Sequence, residues 1–184
     1  TVFSAPLTSS APNDDEEELI YDAKSVDLEI DQNLPEELEN VIKAYDDEIK
    51  HSHAKDGAHE HMIHLAIARV LEHAGYEKLA YVRYLKALEA NSYSLTAIHE
   101  LRRIARAYDK TKDVATLLQS ELDVDISKTD QSTYLEEYAR IVQYLPNGQD
   151  DAFRCLHQAA NLTPDRIGPL ATLSNLLINN QLWN

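Results

Sequence analysis

Residues 61–92, HMIHLAIARVLEHAGYEKLAYVRYLKALEANS, read as two short amphipathic helices joined at a single glycine. In the first half Ile63, Ile67, Val70 and Leu71 recur at helical spacing, and in the second half Ala80, Tyr84, Ala87 and Leu88 do the same. Gly75 falls between them, where a helix C-terminus needs a residue tolerant of positive φ. A pair this short buries one side of itself only, so it needs neighbours of the same kind.

With His61 as the first position, these residues fall at the offsets of the tetratricopeptide repeat, a 34-residue helix-turn-helix unit that the stretch resembles. Ile67 takes the usual leucine position, Ala68 the glycine, Leu71 the tyrosine, Ala80 the first alanine, Tyr84 the aromatic and Ala87 the second alanine. Ala80 and Ala87 are expected on facing sides of the helix pair, where a methyl group lets the two axes approach closely. Ser92 stands where the family usually has proline.

One repeat length beyond Ile67 lies Leu101, at the same position of a second pair. Ile98, Leu101, Ala105 and Tyr108 form its first helix, and Val114, Leu118 and Leu122 its second. Here Arg102 occupies the small-residue position and Glu121 the second alanine, which implies a slipped register or looser packing. A third pair spans about 132–164, where Ala152, Leu156, Ala159 and Pro164 reproduce the family spacing. Ala152 lies two periods plus four residues beyond Ala80, and the extra four are expected in a loop over 124–131, VDISKTDQ. Leu170, Leu173, Leu177 and Trp183 begin a fourth unit that has no second helix. The resemblance therefore covers about 3.5 repeats over residues 60–184.

Upstream the chemistry changes. Residues 1–57 carry sixteen acidic and four basic side chains, whereas the remainder of the chain is nearly balanced, so most of the net charge of -15 belongs to the N-terminal part. Residues 1–34 read as an acidic arm holding the run Asp14-Asp15-Glu16-Glu17-Glu18, too poor in apolar side chains to offset the entropy of ordering. Within it Val26, Leu28 and Ile30 alternate with acids, a pattern that suits an extended segment. Residues 35–57 read as a capping helix followed by a His-rich loop: Pro35 and the acids after it mark a helix start, and Leu38, Ile42, Tyr45 and Ile49 make one apolar face. Residues 58–184 are the repeat domain. The expected fold is all-α, a right-handed α-α superhelix of tetratricopeptide-like hairpins preceded by an extended acidic arm.

The resemblance implies a protein-interaction scaffold whose first helices line a concave groove for a peptide or partner protein. Carrying over the family's groove positions gives Met62, Leu65, Arg69, Glu72 and His73, then Thr96, His99, Arg103 and Arg106, then Tyr134, Glu137 and Tyr144. Three arginines in one hollow of an acidic chain suit a carboxylate-bearing ligand, and the chain's own arm is one candidate. Pairing with Glu72, Glu100 or Asp109 on the helix surface is the competing expectation for those arginines. The acidic balance excludes nucleic acid as a partner of the whole chain.

Enzymatic chemistry has no support in the sequence. The four glycines stand alone, so there is no phosphate-binding loop, and Cys155 sits among apolar residues as a packing side chain. No cofactor is expected. Five histidines crowd residues 51–64, and His59, His61 and His64 are the candidate metal ligands, but H-E-H-x-x-H matches no catalytic zinc signature. Two other readings stay open: a non-catalytic helical spacer of a larger enzyme or secretion assembly, and a metal-binding protein built on the histidine cluster. No run is long enough to span a membrane, and the N-terminus is not an intact signal peptide. The compartment stays open with the cytoplasm favoured, and the oligomeric state is open too.

Overall fold

The computed structural model describes residues 34–51 and 57–179, and among these residues it contains eight α-helices and no strand. The acidic arm with its alternating stretch, His53 and Trp183 lie outside the described residues. The helices are α1 (Glu36–His51), α2 (Gly57–His73), α3 (Glu77–Ala90), α4 (Leu95–Ala107), α5 (Thr111–Leu122), α6 (Lys128–Val142), α7 (Gln149–Leu162) and α8 (Ile167–Asn179). Consecutive helices pack on one another all along the chain, giving hairpins α2/α3, α4/α5 and α6/α7 with α1 and α8 at the two ends.

The small residues sit where the repeat pattern puts them. Ala80, Ala87, Ala152 and Ala159 are all fully buried, as are Ala68, Ile67 and Leu101, so the apolar side chains are consumed in packing one helix on the next. Helix α1 lies against the first hairpin through Leu38, Ile42, Tyr45 and Ile49, with Val41 turned outward. The side chain of Arg83 on α3 reaches back to α1 and holds Asp46 through two bonds of 2.6 and 2.7 Å.

The turns explain the repeat length. After α2, Gly75 adopts φ +85°, the Gly75 amide donates to the Glu72 carbonyl and the Tyr76 amide to that of Leu71, which closes a Schellman motif. Thirty-four residues later Asp109 takes φ +55°, with Asp109 and Lys110 donating to Arg106 and Ala105 in the same pattern. Both helix ends thus close alike, with an aspartate in the glycine's place.

The four extra residues are not in 124–131. Helix α6 already starts at Lys128, with the Ser127 hydroxyl accepting from the Asp130 amide as its N-cap. Instead the turn between α6 and α7 is long: Asn147 is the next residue in the left-handed region, and Gly148 follows it where a Cβ would collide with the Val142 carbonyl oxygen. The insertion therefore belongs inside the third hairpin, not between the second and third.

Side chains also pin the hairpins at their base. His61 Nδ1 lies 3.0 Å from the Ala87 carbonyl oxygen and His61 Nε2 lies 3.2 Å from Ser94 Oγ, joining α2 to the start of α4. In the third hairpin the Ser132 hydroxyl donates to the Ala159 carbonyl, and Arg166 donates to Ser132 in turn. Both carbonyls lie near the end of a second helix and already accept from its C-cap amide, Asn91 or Thr163, so each side chain adds a second partner to a satisfied carbonyl. On α8, Leu176 is buried while Leu170 is 47% exposed, so the expected Leu170, Leu173, Leu177 face is only partly covered.

Candidate interaction face

With most apolar residues spent inside and between hairpins, the outward sides of α2, α4 and α6 are left with mainly polar residues, Met62 being an exposed apolar exception. These sides meet across repeats through a rank of paired charges. From α2 to α4, Arg103 pairs with Glu72, and it also approaches Glu100 at 2.9 Å and Glu77 at 3.8 Å. From α4 to α6, Arg106 pairs with Glu137, Arg102 Nη1 lies 3.1 Å from Glu137 Oε2, and His99 Nε2 lies 3.1 Å from the Tyr134 hydroxyl. From α6 to α8, Arg140 and Thr172 share Glu136, which Arg166 reaches from the turn before α8.

Of the residues expected in the groove, Glu72, His99, Arg103, Arg106, Tyr134 and Glu137 take part in this rank, whereas Leu65 and Tyr144 lie away from it. Leu65 is 5% exposed and belongs to the core, so it offers no surface to a ligand. Tyr144 is 82% exposed but lies in the turn after α6, at the tip of the third hairpin, because α6 ends at Val142. Met62, Arg69, His73 and Thr96 are exposed, and Glu72, Tyr134 and Glu137 are half-buried. Arg69 makes no ion pair among the described residues; it borders an open cleft of about 530 Å³ shared with Glu72, His73, Glu77, Tyr84 and Glu100. The Tyr84 hydroxyl donates to Glu72 there, and burial together with that carboxylate raises its pKa above the ordinary tyrosine value.

Beneath the middle of this rank lies a group that the sequence pattern flags only as a misfit. Glu121 on α5 is fully buried, with Arg102 Nη1 3.1 Å from its Oε2 and His99 Nε2 3.2 Å from its Oε1. Neither oxygen has a hydrogen bond of good geometry. Burial pushes the Glu121 carboxyl up to about 7, against the opposing pull of Arg102 and Arg106. His99 is lowered from its ordinary value by burial and by Arg102. Arg102 also lies over the Tyr134 ring, 5.2 Å from its centre.

The histidines do not converge. His59 pairs with Glu48 at 3.5 Å, His61 spends both ring nitrogens on Ala87 and Ser94, and His64 is buried beside Glu60 at 3.6 Å. Among the described residues no group of three or more His, Cys, Asp or Glu side chains is placed to hold a metal ion. Cys155 is half-buried, and burial raises its thiol above the ordinary value, away from thiolate chemistry. No helix among the described residues is long and apolar enough to cross a membrane.

No protein-family model and no curated protein sequence matches the chain. Among solved structures it is similar to the crystal structure of MamA, with 14% sequence identity, a TM-score of 0.51, and coverage of 79% of this chain and 80% of that one. At this identity the likeness concerns the fold. Together with the hairpins, buried alanines and repeated turns, it makes the fold a tetratricopeptide-like helical superhelix.

Proposed function

We propose that the chain is a non-enzymatic interaction scaffold that holds an acidic segment of a protein partner along its first-helix face. The observation that supports this reading is a chain of exposed arginines: Arg69 borders the cleft that Glu72 lines, Arg103 pairs with Glu72, and Arg106 follows Arg103 by one helical turn, the last two each nearly half exposed. Guanidinium groups on a rigid helical frame can exchange an intramolecular carboxylate for a ligand's at little cost, because such pairs are worth about 1 kcal/mol or less where water reaches them. Tyr134, anchored by His99 and Arg102, adds apolar contact beside the charges.

Fluorescence anisotropy with a labelled glutamate-rich peptide tests this. Binding that weakens about tenfold or more in an Arg69→Glu, Arg106→Glu variant, and weakens again with added salt, supports the reading. Equal affinity in the variant overturns it. Deleting residues 1–31 should strengthen the same binding when the acidic arm competes for the face, and an unchanged affinity removes the arm as an occupant.

A spacer role is the second reading. It is favoured by the carboxylates of Glu72, Glu77, Glu100 and Glu137, which already neutralise Arg103 and Arg106 within the chain. A spacer captures no peptide at any salt concentration.

A further inference from the structure

The sector between α4 and α6 holds two arginines, Arg102 and Arg106, against two carboxylates, Glu121 and Glu137. An arriving ligand carboxylate would make three negative charges against two positive ones. Balance returns when one carboxylate takes a proton, and the two resident acids differ in how readily they do so. Glu137 is partly exposed and hydrogen-bonded to Arg102, so water and the guanidinium both favour its ionised form. Glu121 has no contact with water and no well-formed hydrogen bond, so its ionised form is the costly one.

The surroundings supply a place for the proton. His99 Nε2 stands 3.2 Å from Glu121 Oε1 and 3.1 Å from the Tyr134 hydroxyl, and in a neutral imidazole that nitrogen can accept from a protonated Glu121 carboxyl in place of the tyrosine. The charged and titratable groups facing Glu121 are His99, Arg102 and Arg106 from α4, with Tyr134 and Glu137 from α6 next to them, and the carboxylates of Glu100 on α4 and Asp130 on α6 act on His99 in turn. The other two sectors lack this arrangement. Glu136, between α6 and α8, accepts bonds from Arg140, Arg166 and Thr172, and Glu72, between α2 and α4, is half-buried and bonded to Tyr84 and Arg103.

We propose that the α4/α6 sector takes up an acidic segment together with one proton, which Glu121 accepts as Arg102 is released to the ligand. The proposal rests on the reading of this face as a seat for acidic segments. Its chemistry is a proton equilibrium alone: the proton comes from solvent, bonds to a Glu121 oxygen, and returns to solvent when the ligand leaves. Raised pH therefore weakens binding even though the ligand's own carboxylates stay ionised throughout.

Titration calorimetry on the full chain, with an end-blocked pentaglutamate peptide in two buffers of different ionisation enthalpy, tests it. Near pH 7.5 the expected result is uptake of between half a proton and one proton per peptide, with affinity falling towards tenfold per pH unit above 7.5. Glu121→Gln should abolish the uptake and leave affinity unchanged between pH 6.5 and 8.5. Binding without proton uptake, or with equal uptake in the Gln variant, overturns the coupling and leaves the acidic-segment reading in place. No binding at any pH overturns both. As a readout that needs no ligand, the Glu121 carboxyl carbon should titrate near neutrality by NMR in the free protein, and titration at an ordinary carboxylate value overturns the coupling by itself.

Discussion

Arg102 and Glu121 meet at 3.1 Å at the two positions that Ala68 and Ala87 fill in the first hairpin, so an ion pair stands where the neighbouring repeat packs small side chains. Such a pair is costly to break from one side. Arg102→Ala leaves a buried carboxylate without its cation and should destabilise the fold by about 3 kcal/mol, whereas adding Glu121→Ala restores the alanine pair and should recover most of the loss. Urea unfolding of the four proteins of the cycle measures the coupling. Equal losses in the single and double variants would mean that the pair is not the source of the effect.

The same carboxyl sets a pH dependence of known sign. Its folded-state value of about 7 lies above the ordinary 4.5, so between those limits the folded chain keeps a proton that the unfolded chain gives up. Stability from this group is full below 4.5, declines as pH rises, and is lost above about 7, by about 3 kcal/mol at most. Asp46 has the opposite sign. Burial opposes its ionisation, but Arg83 outweighs burial and lowers the value below 3.8, so its contribution is complete above that pH and fades in acid. Between pH 5 and 8, therefore, Glu121→Gln should flatten the fall in urea midpoint, and Asp46→Asn should not.

Much of this was legible in the sequence, and the parts that were not have a common cause. Ala80, Ala87, Ala152 and Ala159 gave the hairpins away because close helix packing admits few alternatives to a small side chain. Arg102 and Glu121 looked like a broken register because each breaks the small-residue rule alone. Read together they are a single substitution of one complementary pair for another. The insertion escapes the sequence pattern because α6 keeps the 34-residue phase, Leu101 to Leu135, while the turn after it does not. Composition says little about which of two polar loops is longer. The repeat pattern puts Leu65 in the groove by position alone, and its burial reflects local packing that the pattern does not carry.

Helix α1 is held to the first hairpin by one apolar face and by the two bonds from Arg83 to Asp46, whose side chains are 15% and 30% exposed. Because the pair is fork-shaped and partly shielded, it should be worth more than a surface ion pair, about 1–2 kcal/mol after allowing for screening. Asp46→Asn is expected to raise amide hydrogen exchange across α1 by about tenfold while leaving α4 and α5 protected. Uniform acceleration along the chain would show instead that α1 unfolds only with the whole.

The turns at Gly75 and Asp109 offer a paired test of the repeat geometry, since both residues hold positive φ and close the same Schellman motif. At Gly75 an added Cβ would meet nothing within 4 Å, so any cost of Gly75→Ala comes from the backbone conformation and not from collision. That cost is about 1 kcal/mol for an L-residue held in the left-handed region. Asp109 already bears it, reduced by the tolerance of aspartate for this conformation, so Asp109→Gly should stabilise the protein by about 0.5 kcal/mol in spite of the greater freedom of glycine in the unfolded chain. Opposite shifts in thermal midpoint for the two single variants, downward for Gly75→Ala and upward for Asp109→Gly, are the expected result. Shifts of the same sign would mean that the two turns do not close their helices in the same way.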